Sequence, residues 1–209
     1  MTALATAAQL RPMLVTTGQS VRPMSAEPAS APLVRAPLAR LRRRRDSALI
    51  RDAQRGSEEA LEELFRRHWR HAHRAAYLVV GDASAAEDIA QESFLSAIRA
   101  LDRFDRRRPF GPWLHRITVN RAIDFARARK LRAESALQDT AGEAGSPHEV
   151  SDELIAALHD LTPEHRAVVV LRYVLEYTPG EIGEMLGLPR GTVNSRLRRG
   201  LDALKERIT

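Results

Sequence analysis

The stretch Thr178–Leu204, TPGEIGEMLGLPRGTVNSRLRRGLDAL, decides the fold. Thr178, Pro179 and Glu181 make a helix start: the hydroxyl caps, Pro suits the first turn, and Glu three residues on reaches back to the cap. Ile182, Met185 and Leu186 give that short helix one apolar stripe, and Gly187 ends it. Leu188 and Pro189 turn the chain into a second helix with Val193, Leu197, Leu201 and Leu204 on its inner face. Its outer face carries Thr192, Ser195, Arg198 and Arg199, flanked by Arg190, Asn194 and Arg196, and no acid lies between Arg190 and Gly200. A short helix, a tight turn and a basic second helix describe a helix-turn-helix whose second helix fits a major groove. An ordinary helical hairpin with a solvated basic face shares the pattern.

Charge supports the first reading. The chain of 209 residues has a formal net charge of +6, supplied mostly by Arg, which suits bidentate contacts to phosphate and guanine. The absence of Cys excludes disulfides, Cys-ligated zinc and thiol catalysis. No apolar run approaches the ~20 residues of a membrane span, and the N-terminus lacks the pattern of a secretory signal.

Upstream, residues 1–45 are rich in Ala, Pro, Ser and Thr, end in Arg42–Arg45, and read as a disordered tail. Met13 and Met24 leave a later start site open. Helical periodicity begins at Asp46. A short helix runs to Gln54. A second, capped near Ser57, carries Leu61, Leu64, Phe65, His68, Trp69, Ala72 and Ala76 inward and stops at Gly81. His68, His71 and His73 invite a metal reading. Only the first two share a face, and no acid sits beside them at ligand spacing, which favours a core-edge histidine with surface neighbours. Asp82 or Ser84 opens a third helix, Ser84 with Glu87 fitting a capping box. Its apolar rhythm runs through Ala86, Ile89, Ala90, Ser93, Phe94, Ala97, Ile98 and Leu101, and its other face shows Glu87, Asp88, Gln91, Glu92 and Ser96.

A fourth helix follows Gly111 and Pro112 and runs to about Lys130, with Arg116, Asn120, Asp124 and Arg127 as its polar stripe. From Arg103 to Arg132 the net charge is +8, and Phe104, Phe110 and Trp113 lie in or beside this field. Basic charge interleaved with aromatics suits single-stranded nucleic acid, although Phe110 and Trp113 fit a core better than a stacking platform. Residues 131–150 have little period and read as a linker. From Glu134 to Asp160 there are seven acids and no Lys or Arg. An acidic tether thus joins a module at 46–130 to one at 151–209, where Thr162-Pro163-Glu164 starts a further helix before the helix-turn-helix. The fold class expected is all-α: two small helical domains joined by a flexible acidic linker. No glycine-rich phosphate loop and no His paired with Ser and Asp appears, so the chain is not read as an enzyme, and no cofactor or metal is expected.

The order of these features resembles the extracytoplasmic-function (ECF) group of bacterial RNA polymerase sigma factors, in the sigma-70 family. Asp88-Ile89-Ala90-Gln91-Glu92-Ser93-Phe94 resembles the region that docks on the polymerase clamp. Pro109-Phe110-Gly111-Pro112-Trp113-Leu114, with Ile117, Asn120 and Asp124, resembles the segment that melts and reads the promoter −10 element. Glu181-Ile182-Gly183 through Gly191–Leu197 resembles the module that reads the −35 element.

The resemblance implies an alternative sigma factor, the first module matching sigma region 2 and the second sigma region 4. It implies polymerase contacts at Asp88, Gln91, Glu92 and Phe94, and −10 contacts at Ala100, Phe104, Arg106, Arg107, Arg108, Arg116, Asn120 and Arg127. Arg190, Thr192, Asn194, Ser195, Arg196, Arg198 and Arg199 become the −35 contacts. The partners implied are the β′ clamp and β flap of core polymerase, promoter DNA and an anti-sigma factor, in a bacterial cytoplasm. The free chain is expected to be a monomer, since no dimerisation heptad is present, and no fused C-terminal regulatory domain is expected. The tail departs from the family pattern, as does the Arg run at 106–108. A self-standing helix-turn-helix regulator shares the last module but gives no role to the Asp88 face or the segment around Phe110.

Overall fold

In a computed structural model, residues 46–135 and 152–208 are described; the expectations for the tail and for most of the linker fall outside them. The described residues form helices and no strand. The first module comprises α1 (46–53), α2 (Glu58–Val80), α3 (Ala83–Arg99), a 3-10 turn (Leu101–Arg103) and α4 (Phe110–Ser135). The second comprises α5 (Asp152–His159), α6 (Pro163–Val169), a π-helical turn (Val170–Val174), α7 (Pro179–Leu186) and α8 (Arg190–Ile208).

Local chemistry sets most of the boundaries. Ser57 caps α2 by accepting from the Ala60 N–H, and Asp82, not Ser84, caps α3 by accepting from Ala85. Asp wins because it stands three residues before a free N–H, the reach of a capping side chain. Thr178 and Glu181 close a full capping box on α7. Helix α4 starts at Phe110 and runs past the expected edge at Lys130 to Ser135, so the first five residues read as linker are helical. Ala128 through Ala133 (ARKLRA) are good helix formers, and nothing there breaks the ladder.

Two inward assignments change. Phe65 and Ile98 belong by periodicity to buried stripes, yet both are about two-fifths exposed. Phe65 lies on the rim, stacked on Trp69 at 4.8 Å and tilted against Phe94 at 4.8 Å.

The two modules touch. One apolar core runs from Ala75–Val80 of α2 through Val119, Ala122 and Ile123 of α4 into Ile155, Leu158, Val168, Leu171, Ile182 and Val193 of the second module. Arg166, only 7% exposed, crosses the seam: Nη1 donates to the Val79 carbonyl at 2.5 Å, and Nη2 donates to His159 and Leu161 carbonyls at 2.6 and 3.0 Å. It satisfies the carbonyls where α2 and α5 end, groups with no partner inside their own helices. Gly81, at φ 76°, ends α2 in a left-handed turn, and a Cβ there would overlap the His159 ring.

Candidate promoter and polymerase interfaces

On α8 the apolar side chains Val193, Leu197 and Leu204 turn inward, and Leu201 is half-buried. Arg190, Asn194, Arg198 and Arg199 are exposed, whereas Thr192, Ser195 and Arg196 are half-buried. The Ser195 hydroxyl donates to the Thr192 carbonyl at 2.9 Å, a back-bond within its own helix. The turn before α8 is tight. The Leu188 N–H donates to the Gly183 carbonyl at 2.8 Å, and a Cβ at Gly183 would lie 2.6 Å from the Leu188 carbonyl oxygen. Glycine there lets α7 and the turn close together, which fixes the angle at which α8 projects.

On α3, Asp88, Gln91 and Glu92 are exposed on one face. Gln91 donates to Glu87 at 3.2 Å, and Arg121 of α4 reaches Glu92 at 2.8 Å and Ser96 at 2.7 Å. Leu95 is 51% exposed and Ile98 43%, so apolar surface continues the acidic face. Phe94, at 4% exposure, lies beneath this face and packs into the core with Phe65 and Trp69. Three residues past Gln91, it falls on the inner side of a helix whose exposed stripe runs through Asp88, Glu92 and Leu95.

The segment after α3 carries the −10 candidates. Ala100 is the half-buried cap of α3. Phe104 is buried, 4.4 Å from the Trp113 ring and 5.9 Å from Phe110. Trp113 and Asn120 are half-buried, and Arg116 is exposed. Arg106, Arg107 and Arg108 are exposed on the loop that follows, where the Asp105 carboxylate accepts from the Arg107 N–H at 2.9 Å. Arg127 is drawn into the seam, donating to Glu164 of the second module at 2.6 Å.

Folding also joins groups that spacing left apart. His68 bonds Asp46 at 3.0 Å, an acid distant in sequence, and the His115 ring lies 6.4 Å from His71. His115 Nδ1 shares a 2.7 Å hydrogen bond with the Tyr177 hydroxyl across the seam. Burial, then the nearby His68 and His71, push His115 down to about 3; burial and Arg166 push His159 down to about 4. Both are neutral near pH 7. No group of His, Cys, Asp and Glu among the described residues is arranged to hold a metal, and none of their helices is long and apolar enough to cross a membrane. Sequence reading gave Arg121 no place beside the α3 face, which it meets at Glu92 and Ser96. It sits in an unremarkable helical pattern, and only the fold shows what it faces.

Comparison with known proteins agrees with this geometry. Residues 64–132 match Sigma-70 region 2, and residues 157–206 match Sigma-70 region 4. The ECF RNA polymerase sigma factor SigW of Bacillus subtilis is 32% identical over 176 residues, covering 76% of this chain and 94% of SigW. The sigma factor CarQ of Myxococcus xanthus is 36% identical over 157 residues, 72% of this chain and 90% of CarQ. Among solved structures, CnrH in complex with the cytosolic domain of CnrY aligns with a TM-score of 0.59 at 28% identity, over 78% of this chain and 96% of CnrH. The sigma factor RpoE of Bartonella quintana, in complex with the anti-sigma factor NepR, shares the fold: TM-score 0.61 at 20% identity, over 70% of this chain and 95% of RpoE. The chain belongs to the sigma-70 family as an ECF RNA polymerase sigma factor, a protein that directs promoter-specific transcription initiation.

Proposed function

We propose that three surfaces divide the work of promoter-specific initiation. The exposed α3 face of Asp88, Gln91 and Glu92 docks on the β′ clamp of core polymerase, with Leu95 and Ile98 as its apolar continuation. The second module engages the β flap and lays α8 in the major groove of the −35 element. Arg190, Asn194, Arg198 and Arg199 are its outermost contacts; Thr192, Ser195 and Arg196 flank them. The loop at 104–108 and the exposed face of α4 take the −10 strand as it opens.

The observation that carries this reading is the match to both sigma regions together with an acidic–apolar face on α3 and a basic outer face on α8. Strand opening draws on binding energy: unstacking a base costs a few kcal/mol, recovered through phosphate contacts and base packing. Ala100 and Asn120 border the space for the flipped base, and Phe104 backs its wall by supporting Trp113. Arg116 and Arg106–Arg108 take phosphates. Arg127 joins them once its contact with Glu164 opens. The chain works in the cytoplasm at the nucleoid, as a monomer when free. An anti-sigma factor that covers the α3 face and α8 holds it inactive; the RpoE relative is solved with one.

The test is a titration of core polymerase with the purified chain. Asp88→Ala combined with Gln91→Arg should weaken core binding about tenfold, on the order of 1.4 kcal/mol, while −35 duplex binding by the second module is retained. Unchanged core affinity would remove the clamp assignment. A chain that binds duplex DNA but no polymerase would instead be a self-standing regulator.

A further inference from the structure

Helix α1 precedes the segment that matches sigma region 2, residues 64–132, so the family match assigns it no part in promoter reading. Its contacts nevertheless converge on the reading loop. Gln54, the residue after α1, donates from Nε2 to the Leu101 carbonyl at 2.8 Å and reaches the Phe104 carbonyl at 3.3 Å. Those carbonyls bracket the 3-10 turn that leads into the loop. Ile50 and Ala53 pack with Leu101, Phe104 and Phe110 in one apolar cluster. The inner side of α1 is thus tied to the loop by both apolar packing and a forked amide contact.

The outer side of α1 faces the loop across a cleft. Ser47, Ala48 and Arg51 line one wall, Arg106 and Arg107 the other. Among the described residues, three arginines, a serine and an alanine make up its lining, and no acidic residue does. Arg51 pairs with the adjacent Asp52 at 3.2 Å, and the Asp105 carboxylate accepts from the Arg107 backbone N–H at 2.9 Å. Guanidiniums gathered around an open cleft suit a tetrahedral oxyanion, which accepts forked N–H pairs. The backbone of a strand whose base is read by this loop supplies one on each nucleotide.

We propose that the cleft between α1 and the 105–108 loop seats a backbone phosphate of the promoter strand being opened, with Arg51 as a phosphate contact and Gln54 as the positioning residue that holds the opposite wall. The inference rests on the −10 reading given above. It adds a binding site outside the matched region and makes α1 part of the promoter-reading apparatus.

The experiment uses the full-length chain bound to core polymerase and a fluorescent single-stranded oligonucleotide carrying the −10 element. Affinity is measured across a salt series and across single-base variants. Arg51→Ala should weaken all sequences by a common factor, and the slope of log affinity against log salt should shrink by roughly 0.7 for one lost phosphate contact on a single strand. Arg51→Lys should restore most of that slope. Arg51→Gln keeps the stem and carries the same expectation if the alanine variant fails to fold. Gln54→Ala should narrow discrimination among base variants at least threefold while core affinity and −35 duplex binding stay at wild-type values, a split that simple destabilisation does not produce.

A wild-type salt slope in folded Arg51→Ala overturns the phosphate seat. Unchanged base discrimination in Gln54→Ala overturns the positioning role. Inorganic phosphate that binds the free chain in an Arg51-dependent way, with no effect of Arg51→Ala on DNA, assigns the cleft to a free anion and overturns the DNA assignment. A wild-type chain without base preference, but with a slope that still falls in Arg51→Ala, counts against the −10 reading and leaves the phosphate seat standing.

Discussion

At the scale of single residues, the seam depends on Arg166. Its guanidinium serves three carbonyls, from Val79, His159 and Leu161, on two modules. Burial lowers its pKa to about 10, so it remains charged near neutrality. Arg166→Leu keeps apolar bulk but strands those acceptors. Stability should fall by at least about 2 kcal/mol, read as a lower urea midpoint, because an unmet buried acceptor costs roughly 1–3 kcal/mol. An unchanged midpoint would mean that water replaces the guanidinium.

The buried histidines give the molecule an acid sensitivity of fixed sign. His115 and His159 are held neutral, with folded pKa values of about 3 and about 4 against an ordinary 6.5. Their stabilisation is complete above the ordinary value and is lost as pH falls from there toward the folded values. His115, enclosed by His68, His71 and Tyr177, should alone cost about 1 kcal/mol between about pH 7.5 and about pH 5.5. His159, partly exposed, adds in the same direction. Urea unfolding at the two pH values checks the loss, and His115→Gln should flatten it. A profile that Gln leaves unaltered would put the proton uptake elsewhere.

At the scale of elements, α8 has two kinds of polar side chain that periodicity alone treats alike. Arg199 is exposed, while the Ser195 hydroxyl is spent on the Thr192 carbonyl. Arg199→Ala should cost roughly 1–3 kcal/mol at one base position if it reads a base, or weaken all sequences alike if it holds a phosphate. Ser195→Ala should do less, because its hydroxyl already has a partner. A promoter-variant panel separates these outcomes. A larger effect from Ser195 would reverse the ranking. Caps and faces at this scale were legible in the chain: the Thr178–Glu181 box, the Ser57 cap and the Asp88–Gln91–Glu92 face follow from rules spanning three or four residues. Phe65 and Ile98 were misread because a stripe shows which side turns inward but not how far the covering layer extends.

At the scale of the whole molecule, the packed seam and the proposed promoter contacts make opposite demands on the two modules. The −35 and −10 elements lie about 25 base pairs apart, or about 85 Å at 3.4 Å per step. Here α7, which carries α8, packs against the first module, and Arg127 is bound to Glu164. On the proposed reading of both elements, the modules separate to span a promoter. Glu164→Arg places like charge beside Arg127 and should loosen the seam, seen as a larger radius of gyration by small-angle scattering and tighter binding of −10 single strands by the free chain. A compact variant with unchanged DNA affinity would show that the apolar core holds the seam without that pair.

The sequence by itself determined most of the helices, the Ser57 and Thr178 caps, the basic second helix of the helix-turn-helix and the acidic face of α3. Those features arise from contacts three or four residues apart and from charge that must meet solvent. Tertiary structure alone decided that Asp46 meets His68, that Gln54 grips carbonyls 47 and 50 residues away, that Phe94 and Phe104 turn into the core, and that Arg166 and His115 join two modules. An apolar stripe says that a face must be covered. Which helix covers it, and which polar groups are caught beneath, depends on the packing of the whole chain.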